Sequence, residues 1–191
     1  MDRLESLATA DFERPSQARI YDYLLGGSHN FAVDREAARV LISMVPDVPL
    51  IAQANRAFLR RAVRFLVAAG IRQFLDLGSG VPTAGNVHEV ARQLAPDARV
   101  VYVDIDPVAV AEGRQILAGE DRIVVLQEDA RRPERIVGHP AVRELLDFDR
   151  PVGVLSGVAC RWIASPRSQD RPCARLCRGA RPARAGGMPT C

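Results

Sequence analysis

Hydrophobic positions along this chain change their period near residue 70. Before it, apolar residues recur at helical spacing. Ile20, Tyr23 and Leu24, with Tyr21 beside them, form the inward face of a short helix that ends at the Gly26-Gly27 pair. Asp34 is placed to cap a second helix running to about Met44, which Pro46 stops. A third helix is predicted over about Leu50 to Ala69, with Phe58, Leu59, Ala62, Val63, Leu66 and Ala69 on its buried face. Arg56, Arg60, Arg61 and Arg64 fall on the other face and read as a solvated surface rather than as contacts for an anionic substrate. Gly70 closes that helix.

After residue 70, short apolar runs alternate with helical stretches. Strands are predicted at 72–77, 99–103, 123–126 and 151–155, with helices at 85–95 and from Pro107 to Gly119. Asp106 and Pro107 suit the cap and first position of the latter, and Pro133 and Pro140 open two more short helices. Strands alternating with helices imply an α/β fold with a parallel sheet and right-handed crossovers. The expected layout is a flexible arm at 1–17, a helical cap or lid at 18–70, a Rossmann-like three-layer core at 71–155 and a distinct tail from 156 to 191.

Ligands of such sheets sit beyond the carboxyl ends of the strands. Those ends carry Asp76 with Gly78, Ser79 and Gly80, then Asp104, then Asp129 with Ala130. The glycines let backbone approach a ligand closely. The dinucleotide fingerprint is absent, because Thr83 stands where its third glycine belongs, and no Gly-Lys-Ser/Thr completes a phosphate loop. An NAD-dependent oxidoreductase is therefore disfavoured.

Charge changes the picture only at the end of the chain. The net charge of +3 hides seven arginines against one acid, Asp170, from residue 151 on, so the body is mildly acidic. All four cysteines (160, 173, 177 and 191) lie in that tail, and every basic residue of the chain is Arg. Cys173 and Cys177 have the spacing of half a zinc site with nothing to complete it, so no metal is expected. The tail also lacks aromatic interleaving beyond Trp162, so nucleic-acid binding is not expected. Composition, cysteine use and patterning all change together after Leu155, as a reading-frame shift in GC-rich DNA would produce. The expectation is that residues from about 156 are a frameshifted or otherwise aberrant, disordered end, leaving a truncated sheet and poor activity. No apolar run is long enough to span a bilayer, and no signal pattern opens the chain, so no membrane association and a cytoplasmic location are expected.

Several stretches carry a resemblance. They are Ala18-Arg19-Ile20-Tyr21-Asp22-Tyr23-Leu24-Leu25-Gly26-Gly27, Asn30 to Glu36, Asn55 to Val63, Gln73 to Gly80, Gly85 to Ala91 and Val101 to Pro107. Over about residues 15–155 the chain resembles the actinobacterial S-adenosyl methyltransferase family, and its Asp-x-Gly-x-Gly run resembles the first motif of class I methyltransferases. The resemblance implies the class I fold, S-adenosylmethionine (SAM) as cofactor, and methyl transfer to an undefined acceptor. The alternative is a SAM-binding module without catalysis. With SAM as ligand, Asp104 suits the ribose hydroxyls, Asp129 and the Ala130 N–H the adenine, and the 78–80 turn the methionine portion. Asp76 would hold that turn or the ligand's ammonium. In a lid at 18–31, Tyr23 and Asn30 are candidates for cofactor contact, and His29 and Tyr23 for the active-site wall. His88 reads as helix surface before it reads as a base.

Overall fold

The computed structural model describes residues 13–82 and 85–156. Three helices come first: α1 (Gln17–Leu24), α2 (Ala32–Met44) and α3 (Val48–Ala68). The alternating part follows as β1 (Gln73–Leu77), α4 (Val87–Leu94), β2 (Arg99–Asp104), α5 (Pro107–Ile116), β3 (Ile123–Gln127), α6 (Pro133–Gly138), α7 (Pro140–Leu145) and β4 (Gly153–Leu155). The predicted strands and helices recur within a few residues. The zinc half-site, the arginine-rich tail and the frameshift expectation lie outside the described residues.

The four strands form one parallel sheet in the order β3-β2-β1-β4. Side chains alternate across the strands, so each face needs its own cover. Phe74, Val100, Tyr102 and Leu155 pack with Val63 and Val67 of α3 and with Val87, Val90 and Ala91 of α4. On the other face Leu75, Leu77, Val101, Val103 and Leu126 pack against Ile136, Val142 and Leu146. All five residues of β1 are buried, as expected of a central parallel strand covered on both sides. The chain runs outward from β1 through β2 to β3, then returns to the far side of β1 for β4. The covering helices change face at that reversal, as crossovers of a single hand require. A crevice therefore opens beyond the carboxyl ends of the central strands.

The helical cap departs from the hydrophobic reading. In α1 the buried residues are Arg19, Asp22 and Leu24, while Ile20 and Tyr23 are half-buried. Arg19 Nε donates to Asp34 of α2 at 2.8 Å, and its Nη1 lies 3.3 Å from Asp106 in the turn before α5. Its Nη2 donates to the Arg14 carbonyl at 2.8 Å. The Ser16 N–H donates to Asp34 and the Ser16 hydroxyl to Asp106. The arm expected to be loose through residue 17 is thus fastened from Arg14 on. Asp34 sits in the first turn of α2 rather than at its cap and accepts from the Phe31 N–H at 2.8 Å.

In α3 the buried residues are Ala52, Val63 and Val67, while Phe58 is 61% exposed and Ala69 is also exposed. No single helix among the described residues is long and apolar enough to cross a membrane. Helices α2 and α3 meet that length and composition only as a pair, bent by 102°.

Candidate functional site

The glycine turn after β1 folds back onto β2. The Val103 carbonyl accepts from the N–H groups of Gly78 (2.8 Å) and Ser79 (3.2 Å). Gly78 and Gly80 have φ of 68° and 64°, the left-handed region where a side chain is disfavoured. The Gly80 N–H donates to Asp104 Oδ2 at 2.7 Å, and the Asp106 N–H to Asp104 Oδ1 at 2.9 Å. Asp104 thereby joins the turn after β1 to the turn after β2, and each of its oxygens keeps a further lone pair. Burial pushes its pKa up, opposed by these N–H donors. Asp106 caps α5 through the Val108 N–H at 2.8 Å, the role predicted for it, and its pairing with Arg19 adds a second one.

Beyond β2 and β3 lies a cavity of about 430 Å³ lined by Ile105, Gln127, Glu128, Asp129, Arg132 and Arg135. Ile105 is 60% exposed there, an apolar wall directly after Asp104. Asp129 is half-buried, and Arg131 grips both of its oxygens, with Nη2 to Oδ2 at 2.6 Å. That hydrogen bonding holds the Asp129 pKa below the usual carboxylate range. The carboxylate can meet a ligand only by sharing or releasing Arg131. The Ala130 N–H makes no hydrogen bond among the described residues.

Asp76 lies on the α3–α4 face of β1, in register with Tyr102. It is 6% exposed and no hydrogen bond reaches its carboxylate among the described residues. Burial pushes its pKa up to about 7, opposed by the charge of Arg56 and reinforced by that of Asp104. Arg56 is therefore not on a merely solvated face. It is half-buried, donates to Asn86 Oδ1 at 3.1 Å and lies 5.9 Å from the centre of the Tyr21 ring. One turn along α3, Arg60 lies against Gly85, so that a Cβ at Gly85 would overlap its guanidinium.

His88 and His29 are engaged by neighbours, whereas Nδ1 of His139, between α6 and α7, is buried without a hydrogen-bond partner among the described residues. His88 is not helix surface: its side chain is only 12% exposed, its N–H donates to the Tyr102 hydroxyl and its Nδ1 lies 2.7 Å from that same oxygen. That contact ties the ring to β2 whichever of the two groups donates. Burial lowers the His88 pKa, favouring the neutral ring. His29 Nδ1 lies 3.2 Å from Glu112 of α5, docking the loop after α1 onto the core.

Within that loop Asp22, which sequence reasoning passed over, is the organiser. Its Oδ2 accepts from the His29 N–H (2.8 Å) and from Asn30 Nδ2 (2.9 Å). Gly27 is required because a Cβ there would overlap the Asp22 carboxylate. Asn30 also donates to the Gly27 carbonyl and accepts from Arg35, so its amide shapes the loop. Tyr23 is half-buried, and its hydroxyl has no partner among the described residues. The site thus brings together Asp76, Gly78, Ser79, Gly80 and Asp104, with Asp129 and Ala130 at its β3 side. Sequence reasoning passed over Ile105 and Asp22 and set Arg56 aside as solvated surface. The first carried a signal, as an isoleucine between two aspartates at a strand end.

Comparison with known proteins agrees with this architecture. A solved structure of a presumed methyltransferase from Thermobifida fusca YX is 46% identical, with a TM-score of 0.86 over 90% of this chain. A solved DUF574 family protein from Streptomyces avermitilis is 42% identical, with a TM-score of 0.72 over 75% of this chain. This chain spans 65% and 56% of their respective lengths. No curated protein matches it. A family model described as S-adenosyl methyltransferase matches residues 4–176, so the likeness continues past Leu155, where the sequence reading ended it. On that match, the chain belongs to the S-adenosyl methyltransferase family.

Proposed function

We propose that the crevice beyond β1, β2 and β3 binds SAM and that the chain transfers the SAM methyl group to an acceptor whose identity is open. The observation that carries this reading is Asp104. Its carboxylate is fixed by two backbone N–H groups at the strand end, with lone pairs left over for a pair of ribose hydroxyls. Exposed Ile105 next to it offers an apolar face to a purine ring. The free Ala130 N–H and, once shared with Arg131, Asp129 supply polar contacts at the ring's edge. The turn at 78–80 and the unpartnered Asp76 lie toward the amino-acid end.

When bound, SAM supplies an electrophilic sulfonium methyl. The protein's share is to position the acceptor in line and exclude water, so a general base is not obligatory. Tyr23, with a free hydroxyl, suits the wall of the site, and the loop around His29 and Asn30 suits its lid. A second reading is a SAM-binding module without catalysis, supported by the engagement of His88 with Tyr102 and of His29 with Glu112.

Isothermal titration with SAM and with NAD tests the cofactor. Binding of NAD in preference to SAM would overturn the reading. Asp104→Ala is expected to weaken SAM by about 1.5–3 kcal/mol, roughly tenfold to a hundredfold. An unchanged affinity in a folded variant would remove Asp104 from the ribose role. Methyl transfer from SAM to any acceptor in a cell extract then separates the enzyme from the binding module.

A further inference from the structure

Arg19 of α1, Asp34 of α2 and Asp106 of the turn before α5 meet as a buried cluster. Both oxygens of Asp34 are engaged: Oδ1 accepts from the Ser16 N–H at 2.9 Å, and Oδ2 from Arg19 Nε and from the Phe31 N–H, each at 2.8 Å. Asp106 Oδ2 accepts from the Ser16 hydroxyl and lies 3.3 Å from Arg19 Nη1, while its Oδ1 accepts from the Val108 N–H at 2.8 Å. A buried ion pair returns little net stability, since desolvation offsets the attraction. What the cluster holds in place is therefore its more telling property.

It holds the Asp106 peptide. The N–H of that residue donates to Asp104 Oδ1 at 2.9 Å, and the Gly80 N–H donates to Asp104 Oδ2 at 2.7 Å. The Asp106 side chain is thus fastened to the cap while its backbone orients Asp104. If the Asp106 peptide turned, Asp104 would keep only the Gly80 donor and its carboxylate could rotate. Two adjacent hydroxyls need both carboxylate oxygens correctly aimed, whereas one hydroxyl does not. Arg19 is 2% exposed and directs its donors to Asp34, Asp106 and the Arg14 carbonyl, so it reaches the crevice only through these neighbours.

We propose that Arg19 is a positioning residue for the ribose contact: acting through Asp106, it aims the Asp104 carboxylate at the two hydroxyls, so the helical cap forms part of the ribose specificity of the crevice. This rests on the reading of Asp104 as the ribose acceptor.

The test compares wild type with three variants. Arg19→Lys keeps the charge and loses the planar fork, Asp106→Asn keeps the N–H and removes the charge that Arg19 meets, and Ser16→Ala removes only the hydroxyl on Asp106. Circular dichroism and thermal melting establish which are folded, and any folded variant decides. Isothermal titration measures S-adenosylhomocysteine, adenosine and 2′,3′-dideoxyadenosine, which lacks both hydroxyls. The variants are expected to weaken S-adenosylhomocysteine and adenosine about threefold to tenfold and to leave dideoxyadenosine unchanged. In an Asp104→Ala background the same changes should have no further effect. Equal loss for both nucleosides, no loss at all, or a loss that persists in full without Asp104 overturns the proposal. A ligand-free arm follows amide hydrogen exchange at Gly80, whose N–H meets Asp104: it should quicken in the variants while the Val101 amide of β2 is unchanged. If wild type does not prefer adenosine to its dideoxy form, the ribose reading of Asp104 fails; unchanged exchange at Gly80 then overturns the positioning role too, and faster exchange upholds Arg19 as what positions Asp104.

Discussion

Replacing Asp76 by Asn should make the ligand-free protein more stable and the ligand-bound one harder to form. The carboxylate is buried at the end of the central strand without a hydrogen bond among the described residues, and burial lifts its pKa from 3.8 to about 7 against the pull of Arg56. In the unfolded chain the group ionises near 3.8, whereas in the fold it stays protonated until about 7. Between those values the folded state binds the extra proton, so its stability falls as pH rises and levels off above about 7. Each pH unit in that window is worth about 1.4 kcal/mol, so the whole span amounts to about 4 kcal/mol as an upper figure. Asn imitates the protonated acid in shape and does not titrate. Urea unfolding of both proteins at several pH values between 4 and 8.5 reads the difference directly, since every other titrating group cancels. The Asn variant should match the wild type near pH 4, gain steadily to about pH 7 and hold its advantage beyond. It should also lose affinity for SAM, whose ammonium needs the charge. A stability difference independent of pH would refute the argument that burial disfavours the ionised form of this carboxylate.

Three further outcomes follow from the cap. Arg19→Met should destabilise the fold by about 3–5 kcal/mol, because it strands two buried carboxylates, Asp34 and Asp106; a loss below 1 kcal/mol in urea unfolding would show the pairing to be dispensable. Gly27→Ala should cost about 1–3 kcal/mol through overlap with Asp22, and adding Asp22→Ala should recover part of that loss, a coupling that a double-mutant cycle reads out. Limited proteolysis near Gly26 and Gly27 should slow under saturating SAM, and unchanged cleavage would remove the lid role.

The sheet and its acids were legible because their signals are local. A run such as Phe74-Leu75-Asp76-Leu77 followed by two glycines states strand, strand end and turn within seven residues, and nothing distant has to cooperate. The inward face of α1 was not legible. Hydropathy puts Ile20 and Tyr23 inside, yet Arg19 is buried because Asp34 and Asp106, far along the chain, both reach it. Pairing over that separation leaves no mark in spacing. Arg56 was misread for a related reason: on a helical wheel it belongs with Arg60, Arg61 and Arg64, and only the return of the chain at Asn86 shows that its side of α3 faces the site. Phe58 fails in the opposite direction, since the part of α3 that meets the sheet is set by Val63 and Val67.

The same distant pairings decide what part of the cap is free to move. Helix α1 is tied to α2 through Asp34, to the turn before α5 through Asp106, and to α3 through the Tyr21 hydroxyl, which donates to the Ala52 carbonyl at 3.1 Å and accepts from Asn55. Swinging α1 as a flap would break all three attachments and uncover a buried guanidinium, a cost that ligand contacts at one edge do not offset. The loop from Gly26 to Asn30 is held differently. Its attachments are one oxygen of Asp22, the Arg35 guanidinium on Asn30, turn bonds from the Gly26 and Gly27 N–H groups to the end of α1, and the half-exposed His29–Glu112 contact, and the second Asp22 oxygen is buried without a partner. An unmet acceptor beneath a loop entered through a glycine at φ 80° favours rearrangement there over rearrangement of the helix. Opening and closing over the crevice, where it occurs, therefore belongs to these five residues, with α1 as the fixed post from which they hang.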